Sequence, residues 1–211
     1  MQNKIKITID MKRINCFIPF LNENQVKSTV AGLKDCELVD KIYLLAGADA
    51  EGEVEGCEKI AVGNLNSSDT MKKIAACADS DYAMLYTKFN TLEFGMFAVE
   101  RMVKIADDSA AGMVYADHYN VVGDVRSNAP VIDYQQGSLR DDFNFGSVLM
   151  FNASVLKNAV SKITKEYEFA GLYDIRLKVT QEVELVHINE YLYSDVELDT
   201  RKSGEKIFDY V

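Results

Sequence analysis

Residues able to do chemistry are sparse in this chain, and the stretch YEFAGLYDIRLKV (167–179) holds the most suggestive of them, Asp174. Leu172, Ile175 and Val179 are spaced at three and four residues, so they share the buried face of a helix. Asp174 lies beside that face, between Tyr173 and Ile175, where a carboxylate can point into a cleft. An aspartate in a first helical turn is also favoured by the helix dipole alone, so it needs support from the rest of the chain. Two histidines, His118 and His187, are available for base work. His187 sits within an apolar strand and reads as structural. His118 follows Asp117 at the end of a strand, where clefts form in α/β sheets. In GSLRDDFNFG (137–146), Arg140, Asp141 and Asp142 crowd together just before another apolar strand. Arginine can grip a phosphate through two parallel bonds; a charged turn capped by aspartate is the plainer alternative.

The elements that must position these groups follow from hydrophobic periodicity. INCFIPF (14–20), KIYLLAG (41–47), KIAVG (59–63), DYAMLYT (81–87), GMVYADHY (112–119), NFGSVLMFN (144–152) and ELVHIN (184–189) read as strands. Asn22 or Asn24 can cap a helix whose inner face is Val26, Val30 and Leu33. A second helix starts near Ser68, with Met71, Ile74, Ala75 and Ala78 inward. A third is predicted from Leu92 to Ala106, with Phe94, Phe97, Ala98, Met102 and Ile105 as its core positions. Residues 121–124 predict a hairpin-like excursion, 126–142 an irregular polar segment, and 154–161 a further helix. Strand and helix alternate from the start, the pattern of an α/β fold with a mainly parallel sheet and ligands at the strands' carboxyl ends.

Composition narrows the function classes. With 211 residues, the chain is long enough for a substantial core. Its 48% hydrophobic and 27% charged content is that of an ordinary soluble domain. A net charge of −10 with no basic stripe argues against a nucleic-acid partner. Cys16, Cys36, Cys57 and Cys77 form no CxxC pair, which fits reduced thiols in the cytoplasm better than a zinc or redox site. The N-terminus is no signal peptide, and no apolar run reaches the roughly 20 residues of a membrane span. The ending GEKIFDYV does not taper into polar residues, which suggests a domain cut from a longer protein. GxGxxG, GxxxxGK[ST] and GxSxG are all absent, so the familiar phosphate loops and the nucleophile elbow are missing.

The order of these pieces resembles the family 2 glycosyltransferases. IPFLNE (18–23) is similar to that family's IPVYNE opening, and SDYAMLYTKFN (80–90) stands where the family has a strand followed by its D-x-D metal motif. FGSVLMFNASVL (145–156) resembles the acceptor-side strand and helix. LYDIRLKV (172–179) resembles the E-D-x-x-L-x-x-R helix, with Tyr191 to Tyr193 at the exit of the following strand. The resemblance implies one GT-A-like domain over residues 1–211: a nucleotide-binding, mainly parallel sheet with helices on both faces. It implies transfer of a sugar, with inversion, from a nucleotide-diphosphate sugar to a hydroxyl acceptor. Asp174 takes the catalytic-base position, with Leu177 as the motif's leucine. Pro19, Asn22, Glu23, Lys88 and Arg140 fall on the donor side. Cytoplasmic location, with docking at the inner face of a membrane left open, goes with it.

The departures are acidic ones. Thr87-Lys88-Phe89 replaces D-x-D, Leu45-Ala46-Gly47 replaces the acidic pair after the second strand, and Tyr173 replaces the glutamate before Asp174; Thr180 stands for the closing arginine. The family's Mg2+ or Mn2+ therefore lacks its usual motif, since such ions need hard oxygen ligands. Either Lys88 neutralises the diphosphate, or Asp117 rebuilds a metal site with Asp141 or Asp142. The other class of reading is a non-catalytic module binding sugar or a protein partner.

Overall fold

Strict alternation of buried side chains along the central strands decides the architecture. The computed structural model describes residues 12–140 and 143–198. The order is β1 (Ile14–Phe20), α1 (Glu23–Lys34), β2 (Val39–Ala46), β3 (Glu58–Ala61), α2 (Ser68–Cys77), β4 (Tyr82–Tyr86), β5 (Thr91–Phe94), α3 (Ala98–Ser109), β6 (Met113–Val122), β7 (Val125–Ala129), β8 (Val148–Asn152), α4 (Ala153–Ser161), α5 (Gly171–Glu182) and β9 (Leu185–Val196). One sheet runs β3-β2-β1-β4-β8-β6-β9-β5, with β7 paired to β6 beside it. Ile14, Cys16, Ile18 and Phe20 of β1 join a core with α1 and α3, whereas Phe17 joins a second core with α2, α4 and α5. Successive strand residues point to opposite faces, so these nearly all-apolar strands bury both. Helices cover the two faces.

β1, β2, β3 and β4 are mutually parallel. β8 then runs against both β4 and β6, while β6 and β9 are parallel. β5 and β7 are antiparallel additions to β9 and β6. The parallel character is therefore concentrated in the first half of the sheet. Because β8 is reversed between β4 and β6, the end of β4, the start of β8 and the ends of β6 and β9 all meet on one side.

Three local expectations change. The helix predicted from Leu92 is the strand β5 followed by a bend, with α3 beginning only at Ala98. Leu92 has its N–H and C=O bonded to the Thr29 hydroxyl, and Gly95 donates to the Leu192 carbonyl. Phe97 then takes a left-handed φ of 57°, which no helix interior tolerates. Phe97, expected in the core, is 69% exposed. The segment expected to be irregular after residue 125 opens with β7, completing the foreseen hairpin. Finally, ELVHIN and the residues after it form one long strand, β9.

Candidate functional site

The first wall of the strand-end site is the exit of β1. Pro19 is buried, and its carbonyl accepts from the Gln25 side chain at 2.9 Å. Asn22 caps α1, its side-chain oxygen accepting from the Gln25 N–H at 3.1 Å, as asparagine does well at that position. Glu23 is exposed in the first turn. Sequence reading passed over Gln25. It is 2% exposed, accepts from the Leu21 N–H at 2.9 Å and donates to the Asn90 carbonyl at 3.4 Å. One side chain thus ties the β1 exit to the β4 exit. A polar residue beside Val26 on the buried face of α1 was the available signal.

The second wall is residues 87–90, just past the end of β4. The Thr87 N–H and hydroxyl both donate to the Ser147 carbonyl, at 2.9 and 3.1 Å. Lys88 forms an ion pair with Asp195 of β9 at 2.5 Å. Asp195 also accepts from the Tyr86 hydroxyl at 2.9 Å and from the Asn90 amide at 2.7 Å. Burial by itself would push the Asp195 carboxyl up, but the bonds from Lys88, Asn90 and Tyr86 hold it below the usual carboxylate range. The Lys88 side chain is 46% exposed while that of Asp195 is 1% exposed. The lysine therefore faces outward from a buried anchor. Asp195 has no local sequence signal; it lies near the end of a strand that pattern alone cut short.

Asp117 and His118 are parted by strand alternation onto opposite faces of β6. Asp117 is 2% exposed and accepts from the Val131 N–H at 2.8 Å. His187 bridges Asp117 at 3.0 Å and Asp133 at 2.7 Å through its two ring nitrogens and stacks on Tyr115. The structural reading of His187 fits these contacts. His118 stacks on Tyr193 with 5.0 Å between ring centroids. Burial, then the positive charge of Lys88, pushes its basicity down, and its Nδ1 is buried without a hydrogen-bond partner among the described residues. Gly146, at φ +77°, fits beneath this pair: a Cβ there would lie 2.5 Å from the Tyr193 hydroxyl and 3.5 Å from His118 Nδ1.

Asp174 lies in the first turn of α5 and pairs with Lys178 one turn on. Its Oδ2 is buried without a hydrogen-bond partner among the described residues. Leu172, Ile175 and Val179 form the buried face, as the spacing predicts. Gly171 sets the start of α5 against the start of α2, where a Cβ would come within 2.3 Å of the Ser68 nitrogen. Because the start of α5 packs on residues 66–68, just past the exit of β3, Asp174 stands at the carboxyl end of the parallel strands, as Lys88 does. Arg140 and Asp133 line a cavity of about 730 Å³, together with Phe143 and Asn144, and Asp174 is not in its lining. Asp141 and Asp142 lie outside the described residues.

Among the described residues, the donor set does not fit a divalent metal. Lys88, a cation, already holds the nearby carboxylate of Asp195. Asp117 spends its Oδ1 on Val131 and His187. Among the described residues, no three His, Cys, Asp or Glu side chains are grouped so as to hold an ion.

Sheet order and helices on both faces give a GT-A-like fold. No family model matches the sequence, and no curated protein matches it. In three dimensions the chain is similar to S. aureus TarS residues 1–349 in complex with UDP-GlcNAc: TM-score 0.61, 9% identity, 89% of this chain and 59% of that one. A second TarS 1–349 structure gives TM-score 0.65, 8% identity, 87% of this chain and 60% of that one. The chain spans about three fifths of the length of these neighbours. At such identity the likeness is one of fold. Among the described residues, no helix is long and apolar enough to cross a membrane.

Proposed function

We propose that this chain is an inverting glycosyltransferase domain that moves a sugar from a nucleotide-diphosphate sugar to a hydroxyl acceptor. The observation that carries the reading is the convergence of the β1 exit, Lys88 and the first turn of α5 on one end of a GT-A-like sheet. A TarS neighbour was captured with UDP-GlcNAc, which makes uridine donors the first to try. The acceptor oxygen attacks the anomeric carbon in line, its proton passes to Asp174, and the bond to the diphosphate breaks with its electron pair leaving on phosphate. Lys178 holds Oδ1 of Asp174 and Oδ2 is buried, so proton transfer requires the Asp174 side chain to turn toward the acceptor. Pro19, Asn22 and Glu23 border the nucleoside, and Lys88 the departing phosphates. Arg140, in the lining of the cavity of about 730 Å³, is assigned to the donor's phosphates.

Asp174→Asn preserves shape while removing the base. Transfer is expected to fall by about 10²–10⁴-fold, the range for a lost general base, with the thermal midpoint nearly unchanged. A variant with full transfer sinks the assignment. The second reading, a non-catalytic module that binds sugar or a protein partner, is favoured by one observation: Lys178 already pairs with Asp174. A panel of nucleotide sugars decides between them. Turnover with release of nucleoside diphosphate supports the enzyme; binding without release supports the module.

A further inference from the structure

We infer that the Lys88–Asp195 pair replaces the carboxylate–metal clamp, so that this chain binds the diphosphate of its donor without a divalent cation. The inference rests on the donor reading above and deepens it. A metal clamp works because one buried acidic group holds a cation whose remaining coordination positions face the phosphates. The same three layers are present here with a different cation. Asp195 is the buried acid, 2% exposed. It is held in place by Tyr86 and Asn90. The Lys88 ammonium rests on it at 2.5 Å. An ammonium has three N–H donors; Asp195 engages one side, and the half-exposed side chain leaves the others for phosphate oxygens.

The residues around the pair are arranged to keep it there. Thr87, the root of Lys88, is bonded twice to the Ser147 carbonyl. Asn90, two residues on, is held through its carbonyl by Gln25 and through its amide by Asp195. A loop fixed on both sides of Lys88 spends little ordering entropy when a phosphate binds. His118, a neighbour of Lys88, adds no negative charge to the pair, and its buried Nδ1 has no partner among the described residues. A simple surface ion pair would lack these features, because its acid would be solvated and its loop free.

A single positive charge has a distinct signature. Binding should be insensitive to metal, should depend on the charge at position 88, and should weaken with salt. The test titrates the full chain with UDP, GDP and their nucleosides by calorimetry, in EDTA and in Mn2+, for wild type and Lys88→Gln. The expected result is a diphosphate affinity alike within about twofold in EDTA and Mn2+, and a loss of roughly tenfold or more in Lys88→Gln, the worth of a charge-assisted hydrogen bond. The nucleoside's affinity should not change in the variant, which separates lost charge from a damaged site. Binding that requires Mn2+ overturns the clamp and leaves the donor reading standing. Unchanged diphosphate affinity in Lys88→Gln also overturns it. Absence of binding by either nucleotide in both conditions overturns the clamp and the donor reading together.

Discussion

In the half of the sheet built from β3, β2, β1 and β4, buried polar side chains bond to backbone; in the half built from β8, β6, β9 and β5, ionisable side chains bond to one another as well. Asn15 accepts from the Ser80 N–H, Gln25 serves Pro19 and Leu21, and Thr29 serves both groups of Leu92. Each of these is a neutral staple between neighbouring segments. On the other side, Asp195 gathers Lys88, Tyr86 and Asn90, and His187 spans Asp117 and Asp133. The difference teaches where the molecule keeps its charge. The first half buries neutral polar groups and keeps its ion pairs, such as Lys41–Asp79, at the surface, whereas the second half buries carboxylates and an imidazole.

The hardest blow to this contrast is Asp195→Ala. It leaves the Tyr86 hydroxyl buried without its acceptor and frees Lys88, and should cost about 2 kcal/mol at pH 7. Urea unfolding measures it. Since the folded-state carboxyl of Asp195 lies below its unfolded value of 3.8, its contribution is present above pH 3.8 and fades as pH falls through the folded value. The deficit of the variant should therefore shrink in acid. A deficit that stays constant down to pH 3 would show Asp195 to be a neutral staple like those of the first half.

Thr29→Val is the matching change in the frame. It keeps the side-chain volume but leaves the Leu92 N–H and C=O unpaired, for a loss of about 1.5 kcal/mol. Here the loss should be the same at pH 7 and pH 4, because no titrating group is involved. Convergence of the two variants' pH profiles would erase the distinction between the halves.

The smallest effect sharpens the picture. His118→Phe retains the stacking on Tyr193 and removes the imidazole. Burial depresses the folded pKa of His118 below its ordinary 6.5. Its neutral form is the folded form, so its effect is to reduce stability as pH falls below 6.5 and the unfolded chain takes up the proton. The variant should lose less stability than wild type between pH 7 and pH 5, by a fraction of a kcal/mol per pH unit on thermal denaturation. An identical slope would place His118 in an environment no different from water.

Much of the frame was legible. Apolar runs marked β1, β2, β4, β6 and β8, and three-and-four spacing marked the inner faces of α1, α2 and α5, because those faces are read by local periodicity. The helix predicted from Leu92 failed because Phe94 and Phe97 happened to carry helical spacing. What overrides it is the bonding of Leu92 to Thr29 and of Gly95 to Leu192, partners distant in sequence. The candidate site was legible unevenly. Asp174 and Lys88 stood out by the motif positions they occupy, while Asp195, Gln25 and Gly146 carried no motif at all.

By itself, the sequence determined most of the strands and helices, which of their faces are buried, and the absence of paired carboxylates at 87–89. Tertiary structure alone decided what stands in their place. Asn90 and Asp195 are 105 residues apart, and the register shifts at Asp117 that turn Tyr193 toward His118 arise only in the pairing of β6 with β9. Periodicity reports which side of its own element a residue takes. Only the reversed β8, set between β4 and β6, brings the end of β4 and the end of β9 to the same place, and with them a lysine and its buried acid.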